Sequence, residues 1–285
     1  MENFRAIRYN KKSAKKYGWH PSWFGIRMTE FNSELINCIK LFQLDHNLTA
    51  DGFAGPVTFR RLLTSRDAEV SKGFIMINNR RVKIDWDVKI DFMPDNCFKT
   101  YHRERKPNMI VTHWDATTSA EKCRRILQAR GISTHFCIDN DGMIYQYVDT
   151  NNTAWHAGKV NKYSIGIDFS NAYYLKYSDY YTEKGFNKRP ICKDSIVHGV
   201  RLKHHLGYYP VQIEAYKRLV KILCDHYDIP LQTPMKNTKL ADTGVVSEAA
   251  KGKYKGIVCH YHLTRNKIDC AGLKLNEIIR NLKNQ

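Results

Sequence analysis

The eight cysteines, at positions 38, 97, 123, 137, 192, 224, 259 and 270, include no CxxC pair. Several stand inside apolar runs, as in Asn37-Cys38-Ile39 and Leu223-Cys224, where a reduced thiol packs as a small hydrophobe. That scatter suits folding in a reducing cytoplasm better than a disulfide framework. No stretch of about 18 apolar residues occurs, so no membrane-spanning helix and no stable membrane insertion are expected. The N-terminal MENFRAIRYNKKSAKKYGW is basic but has no apolar centre, so no secretory leader is expected either. Negative charge is scarce: 28 acidic residues face 46 Lys and Arg, for a net charge of +18. Such an excess draws a protein toward polyanions, whether nucleic acid, an anionic membrane surface or a bacterial envelope. No base-reading motif accompanies it, and nucleic acid is therefore not the expected partner.

With 285 residues, the chain suggests one large domain plus a small module. Residues 1–66 read as the module. Its first part is basic and aromatic, with Trp19, Trp23 and Phe24 available for a small core. Leu35, Ile36, Ile39, Leu41 and Phe42 then recur at helical spacing, in a helix ending near His46 and Asn47. A glycine-rich turn, Ala50–Gly55, leads to Pro56, which can occupy a first helical position without losing a hydrogen bond. Phe59, Leu62 and Leu63 would face inward from this second helix. Residues 67–104 read as a connector with a β-hairpin, Phe74–Ile77 and Val82–Trp86 around Asn78-Asn79.

From 105 to 285 strands and helices alternate, which predicts an α/β domain with a mixed β-sheet flanked by helices. The expected elements are a strand at 109–114, a helix from Ala120 to Ala129 and a hairpin across Asp141-Gly142. A strand at 164–169 follows, then a loop-rich segment at 172–209 and a long helix through Ile213–Tyr227. A strand near Gly256 and a closing helix over Leu273–Leu282 complete the domain.

Chemistry concentrates in Gly256–Gly272, GIVCHYHLTRNKIDCAG, which holds His260, His262, Lys267, Asp269 and Cys270. Imidazole and thiolate are ligands that Zn²⁺ favours, and a catalytic zinc needs three of them with one position left for water. His113, at the end of the 109–114 run, can supply the ligand that this segment lacks. His260 and His262 compete, because two residues apart on a strand both could point to one face.

Two resemblances sharpen this reading. CIKLFQLDHNLTADGFAGPVTFRRLL is similar to the small helical peptidoglycan-binding module of wall hydrolases, through Phe42, Gln43, Asp51, Gly52, Gly55 and Thr58. Five blocks in the second domain resemble the zinc-dependent N-acetylmuramoyl-L-alanine amidases, which include phage lysozyme-like amidases and peptidoglycan recognition proteins. They are Ile110–His113, Ser133–Phe136 with Asp141-Gly142 and Ile144–Gln146, Ala154–Gly158, Ser164–Asp168, and Ile257–His260 with Lys267–Gly272.

The amidase resemblance implies one Zn²⁺ held by His113, His260 and Cys270, or by Asp269 in place of Cys270 as in relatives with a carboxylate two residues after the lysine, with Asp168 as general base and Lys267 beside the developing oxyanion. Trp155, His156 and His262 would meet substrate. Asp168 falls where closer relatives carry Glu, and Thr134 where some carry a catalytic Tyr. Together the two resemblances imply an endolysin-like peptidoglycan hydrolase, expected as a monomer. It would be made in the host cytoplasm and act on the wall after release. A non-catalytic peptidoglycan-binding protein and a zinc endopeptidase cutting within the stem peptide are the alternatives.

Overall fold

The computed structural model of the chain describes residues 2–25, 28–45, 48–66, 71–101, 104–237 and 240–284. They form two compact units, Met1–Glu69 and Val70–Gln285.

The first unit contains three helices, α1 (Glu2–Tyr17), α2 (Ser33–Asp45) and α3 (Pro56–Arg66). The α1 helix was not expected, because the face it buries carries Ala6, Asn10, Ser13 and Ala14 and no large apolar residue. His46 and Asn47, and the side chain of Leu63, lie outside the described residues. Trp19 is buried against Phe24 and Phe31. The residues that suggested a wall-binding module are chiefly the ones that close its α2–α3 loop. Buried Gln43 donates to Asp51 Oδ1 (2.8 Å) and Thr58 Oγ1 (3.0 Å) and accepts from the Gly52 amide (2.9 Å). Gly52 has φ +76°, and a Cβ there would lie 2.6 Å from Ile36, so only glycine fits.

The second unit is organised around a seven-stranded mixed sheet. Its strands are β1 (Ser71–Ile77), β2 (Arg80–Ile90), β3 (Met109–Trp114), β4 (Phe136–Ile138), β5 (Ile144–Gln146), β6 (Ser164–Phe169) and β7 (Gly256–Cys259). The spatial order is β1-β2-β5-β4-β6-β3-β7. Asn78 and Asn79, both at positive φ, turn the β1–β2 hairpin as a type I′ turn permits. This hairpin is the edge of the main sheet, since β2 pairs in parallel with β5, so the connector region is continuous with the second unit.

Toward the other edge, β3 pairs in parallel with both β6 and the edge strand β7, and nearly every residue of the three is buried. Continuous apolar runs are what a parallel strand covered on both faces requires. The covering elements are α4 (Ala120–Ala129) on one face and α5 (Pro210–Tyr227) on the other. Ser119 caps α4 by accepting from the Lys122 amide. The two faces are legible in alternate residues of β3 and β6. Thr112 meets Tyr216 of α5 at 2.6 Å, whereas Asp168, in register with His113, meets Cys123 of α4. The chain closes with α6 (Leu275–Lys283), packed on α5. The segment at 172–209 contains one short helix, Ser178–Glu183, and short two-stranded ladders. Among the described residues no helix is long and apolar enough to cross a membrane.

One buried cation ties the loops beneath the sheet. Arg105 donates to the carbonyls of Thr150, Asn152, Asn161 and Ser164. Burial pulls its pKa down to about 10. Next to it, His135 Nδ1 accepts from the Gly166 amide (3.0 Å), which leaves the Nε2 proton to go to the Asn152 carbonyl (3.1 Å). His135 is thus a neutral, satisfied core residue. Arg105→Met would strand several buried carbonyls, each costing about 1–3 kcal/mol. A stability loss of at least about 3 kcal/mol is expected in urea unfolding, and a loss near zero would contradict this account.

Candidate active site

Strands β3, β6 and β7 run in parallel and end at one edge of the sheet, where a cavity of about 420 Å³ opens. Its lining includes His113, Thr134, Trp155, His156, Asp168, His260, Lys267 and Asp269. Three of these converge. His113 Nδ1 lies 3.0 Å from His260 Nδ1 and 3.1 Å from Asp269 Oδ2, and His260 Nδ1 lies 3.0 Å from the same carboxylate oxygen. All three residues are buried. Burial, reinforced by the neighbouring His260, pulls the pKa of His113 down to about 4. Burial opposes the charge of Asp269 as well, but the two imidazoles facing it outweigh that cost and hold its pKa below the usual carboxylate range.

Asp269, and not Cys270, therefore stands with the histidines. The Cys270 thiol points the other way, 3.7 Å from the Thr112 carbonyl and 3.1 Å from Cys259 Sγ. Asp269 and Cys270 lie in a turn, and of the two only the Asp269 side chain lines the cavity. The competition between His260 and His262 is resolved by backbone shape. The strand ends at Cys259, and His260–His262 form a tight 3₁₀ turn, so the two rings do not share a strand face. His262 Nδ1 accepts from the Cys259 amide (2.9 Å), and Nε2 donates to the Asp242 carbonyl (2.9 Å). It lines a separate cavity of about 530 Å³, with Cys192, Asp242 and Tyr261, and is not placed to meet substrate beside His113.

His156 lines the cavity but also stands behind His113. Its Nδ1 is 3.0 Å from His113 Nε2, and its Nε2 is 3.3 Å from Ser164 Oγ, which donates to the Val160 carbonyl (2.9 Å). With the His113 Nε2 proton directed at His156, the His113 Nδ1 lone pair is left facing Asp269 and His260. Gly166 makes room for this chain. A Cβ there would sit 2.7 Å from the His156 ring and 2.8 Å from Thr134 Oγ1.

Asp168 lies on β6 beside His113, and its pKa is raised well above 3.8, first by burial and then by the carboxylates of Asp115 and Asp269. Such a group holds a proton more readily than a surface carboxylate. Lys267 is exposed at the cavity rim, with its carbonyl facing His198 Nε2 at 3.0 Å. Trp155, 37% exposed, also borders the opening.

Sequence reasoning missed Asp115, whose pKa burial pushes up to about 6. Asp115 Oδ1 accepts from the amides of Thr117 and Asn171, an Asx turn that the Asp-x-Thr spacing just after a strand could have signalled. With Cys123 and Cys137 it forms a second cluster of potential ligands. Its carboxylate, however, is already taken up by Thr117 and Asn171.

A mixed-sheet α/β domain with two imidazoles and a carboxylate gathered at the ends of parallel strands defines the class. Residues 103–272, more than half the chain, match the family described as N-acetylmuramoyl-L-alanine amidase, and the chain belongs to that family. Among solved structures it is similar to the catalytic domain of XlyA, at 22% identity and TM-score 0.41, over 70% of this chain and 98% of that one. It is also similar to the amidase LysC from Clostridium intestinale URNW, at 19% identity and TM-score 0.37, over 68% and 97%. A third is the Ph2119 endolysin from Thermus scotoductus MAT2119 bacteriophage Ph2119, at 15% identity and TM-score 0.39, over 65% and 88%. No protein in the curated comparison matches the chain.

Gly166→Ala should push the His156 ring off its contact with His113, with an overpacking cost of about 1–3 kcal/mol. Denaturant unfolding should register that loss, and an unchanged midpoint would contradict the close packing described.

Proposed function

We propose that this chain is a zinc-dependent peptidoglycan amidase that hydrolyses the bond between the lactyl group of N-acetylmuramic acid and L-alanine of the stem peptide. The observation that carries the reading is the convergence of His113 Nδ1, His260 Nδ1 and Asp269 Oδ2 within 3.1 Å of one another. Tetrahedral ligation at about 2.0–2.1 Å places ligand atoms slightly more than 3 Å apart, so the donor set fits zinc in number, type and spacing. Two imidazoles and one carboxylate leave one position open, as a catalytic site requires.

When bound, the ion would polarise the scissile carbonyl and acidify the water that attacks it. The remaining work falls to side chains of the chain. Asp168 accepts the proton of the attacking water and returns it to the departing alanine amine. The Lys267 ammonium, at the rim, offsets negative charge developing on the carbonyl oxygen. His156, backed by Ser164, fixes the tautomer and orientation of His113. Trp155 offers a half-exposed indole face to the substrate.

Residues 1–66 are proposed as a wall-binding module. Phe4, 80% exposed, lies with Arg5, Arg8, Tyr9 and Lys12 around a shallow hollow on α1, a surface suited to an anionic polymer. The net charge of +18 would speed encounter with an anionic envelope, an effect that salt weakens. The proposed setting is synthesis in a host cytoplasm and action on the wall after release.

Digestion of purified murein should expose new N-terminal alanine, and a chelator or His113→Ala should abolish it. New reducing sugars or other amino termini would reject the reading. Asp269→Ala should weaken zinc binding by at least about tenfold, whereas Cys270→Ser should leave it nearly unchanged, as read by competition with a chromophoric chelator. The opposite ranking would return the ligand role to Cys270. Asp168→Asn should lower kcat by about 10²–10⁴, with Asp168→Glu retaining most of the rate. Because the base must be ionised and its pKa is raised, activity should fall on acidification through a midpoint well above 3.8. A midpoint at or below that value would remove Asp168 from this role.

A further inference from the structure

Directly beneath the ligand candidates lies a second pair of side chains. Cys259 immediately precedes His260, Cys270 immediately follows Asp269, and both thiols are fully buried on the side away from the cavity. Their sulfurs are 3.1 Å apart, so an approach of about 1 Å would bring them to the S–S bond length of about 2.05 Å. The two segments are already joined by the Tyr261 amide donating to the Asp269 carbonyl at 3.1 Å. The other neighbouring pair, Cys123 and Cys137, is engaged differently, each thiol lying 3.9 Å from a carboxylate, Asp168 or Asp115.

We infer that Cys259 and Cys270 are the site of an intramolecular disulfide that forms when the chain meets an oxidising medium and ties the strand that leads into His260 to the turn carrying Asp269. With a small disulfide such as oxidised glutathione as oxidant, one cysteine attacks it and releases one glutathione thiol. The second cysteine then displaces the other glutathione from the mixed disulfide, so two protein thiols are oxidised and one glutathione disulfide is reduced to two thiols. The crosslink closes a short loop that begins and ends beside the proposed ligands. It holds their segments together whether or not an ion is bound.

The test is to refold the full chain in a glutathione redox buffer without metal, block free thiols by alkylation, and map the peptides by mass spectrometry. The expected result is a linked Cys259–Cys270 peptide with the other six cysteines alkylated. The crosslinked chain should unfold at least about 3 °C higher than the same chain after reduction. Cys259→Ser and Cys270→Ser should each abolish the linkage while leaving the partner cysteine alkylated. Alkylation of both Cys259 and Cys270 in the wild-type chain, or a predominant Cys123–Cys137 link, would overturn the proposal. So would a crosslinked chain that melts no higher than the reduced one. None of these readouts depends on amidase activity.

Discussion

Parallel pairing of β3 with β6 and β7 is the constraint from which the site follows. Strands that run the same way end at the same edge, so His113, Asp168 and the residue after Cys259 leave the sheet side by side. The carboxyl ends of parallel strands are where α/β sheets place ligands, since the loops there diverge and leave a crevice. Here that crevice is finished by the turn at His260–His262 and a second turn carrying Asp269, which complete a cluster no single segment could build.

Much of this was legible in the sequence because apolar run, turn and helix signals agreed with one another. The 109–114 and 164–169 strands, the long helix through Tyr227 and the Asn78-Asn79 hairpin all read correctly, as each has a local cause that tertiary packing did not override. The α1 helix did not read, because its buried face is built of small and polar residues, Ala6, Asn10, Ser13 and Ala14. At the site, residue types were visible but directions were not. Choosing between Cys270 and Asp269, or between His260 and His262, requires knowing where a strand stops and a turn begins.

The module residues teach a related lesson. Gln43, Asp51, Gly52 and Thr58 looked like a recognition motif, and their hydrogen bonds show that they build the loop itself. A motif recurs among related modules when a backbone path demands it, even if the binding surface lies elsewhere. The exposed aromatic and cationic residues of α1, which carry no motif, are better placed to meet another molecule.

The enclosed guanidinium of Arg105 has an effect beyond holding loops. Its fixed positive charge lies near His135, where, after burial itself, it helps keep the ring from taking up a proton; at His156 burial and the neighbouring histidines act first and Arg105 adds to them. His156 in turn faces His113. Because the rings of His135 and His156 take up protons more readily once the chain unfolds, acidification through the ordinary histidine range near 6.5 favours the unfolded state.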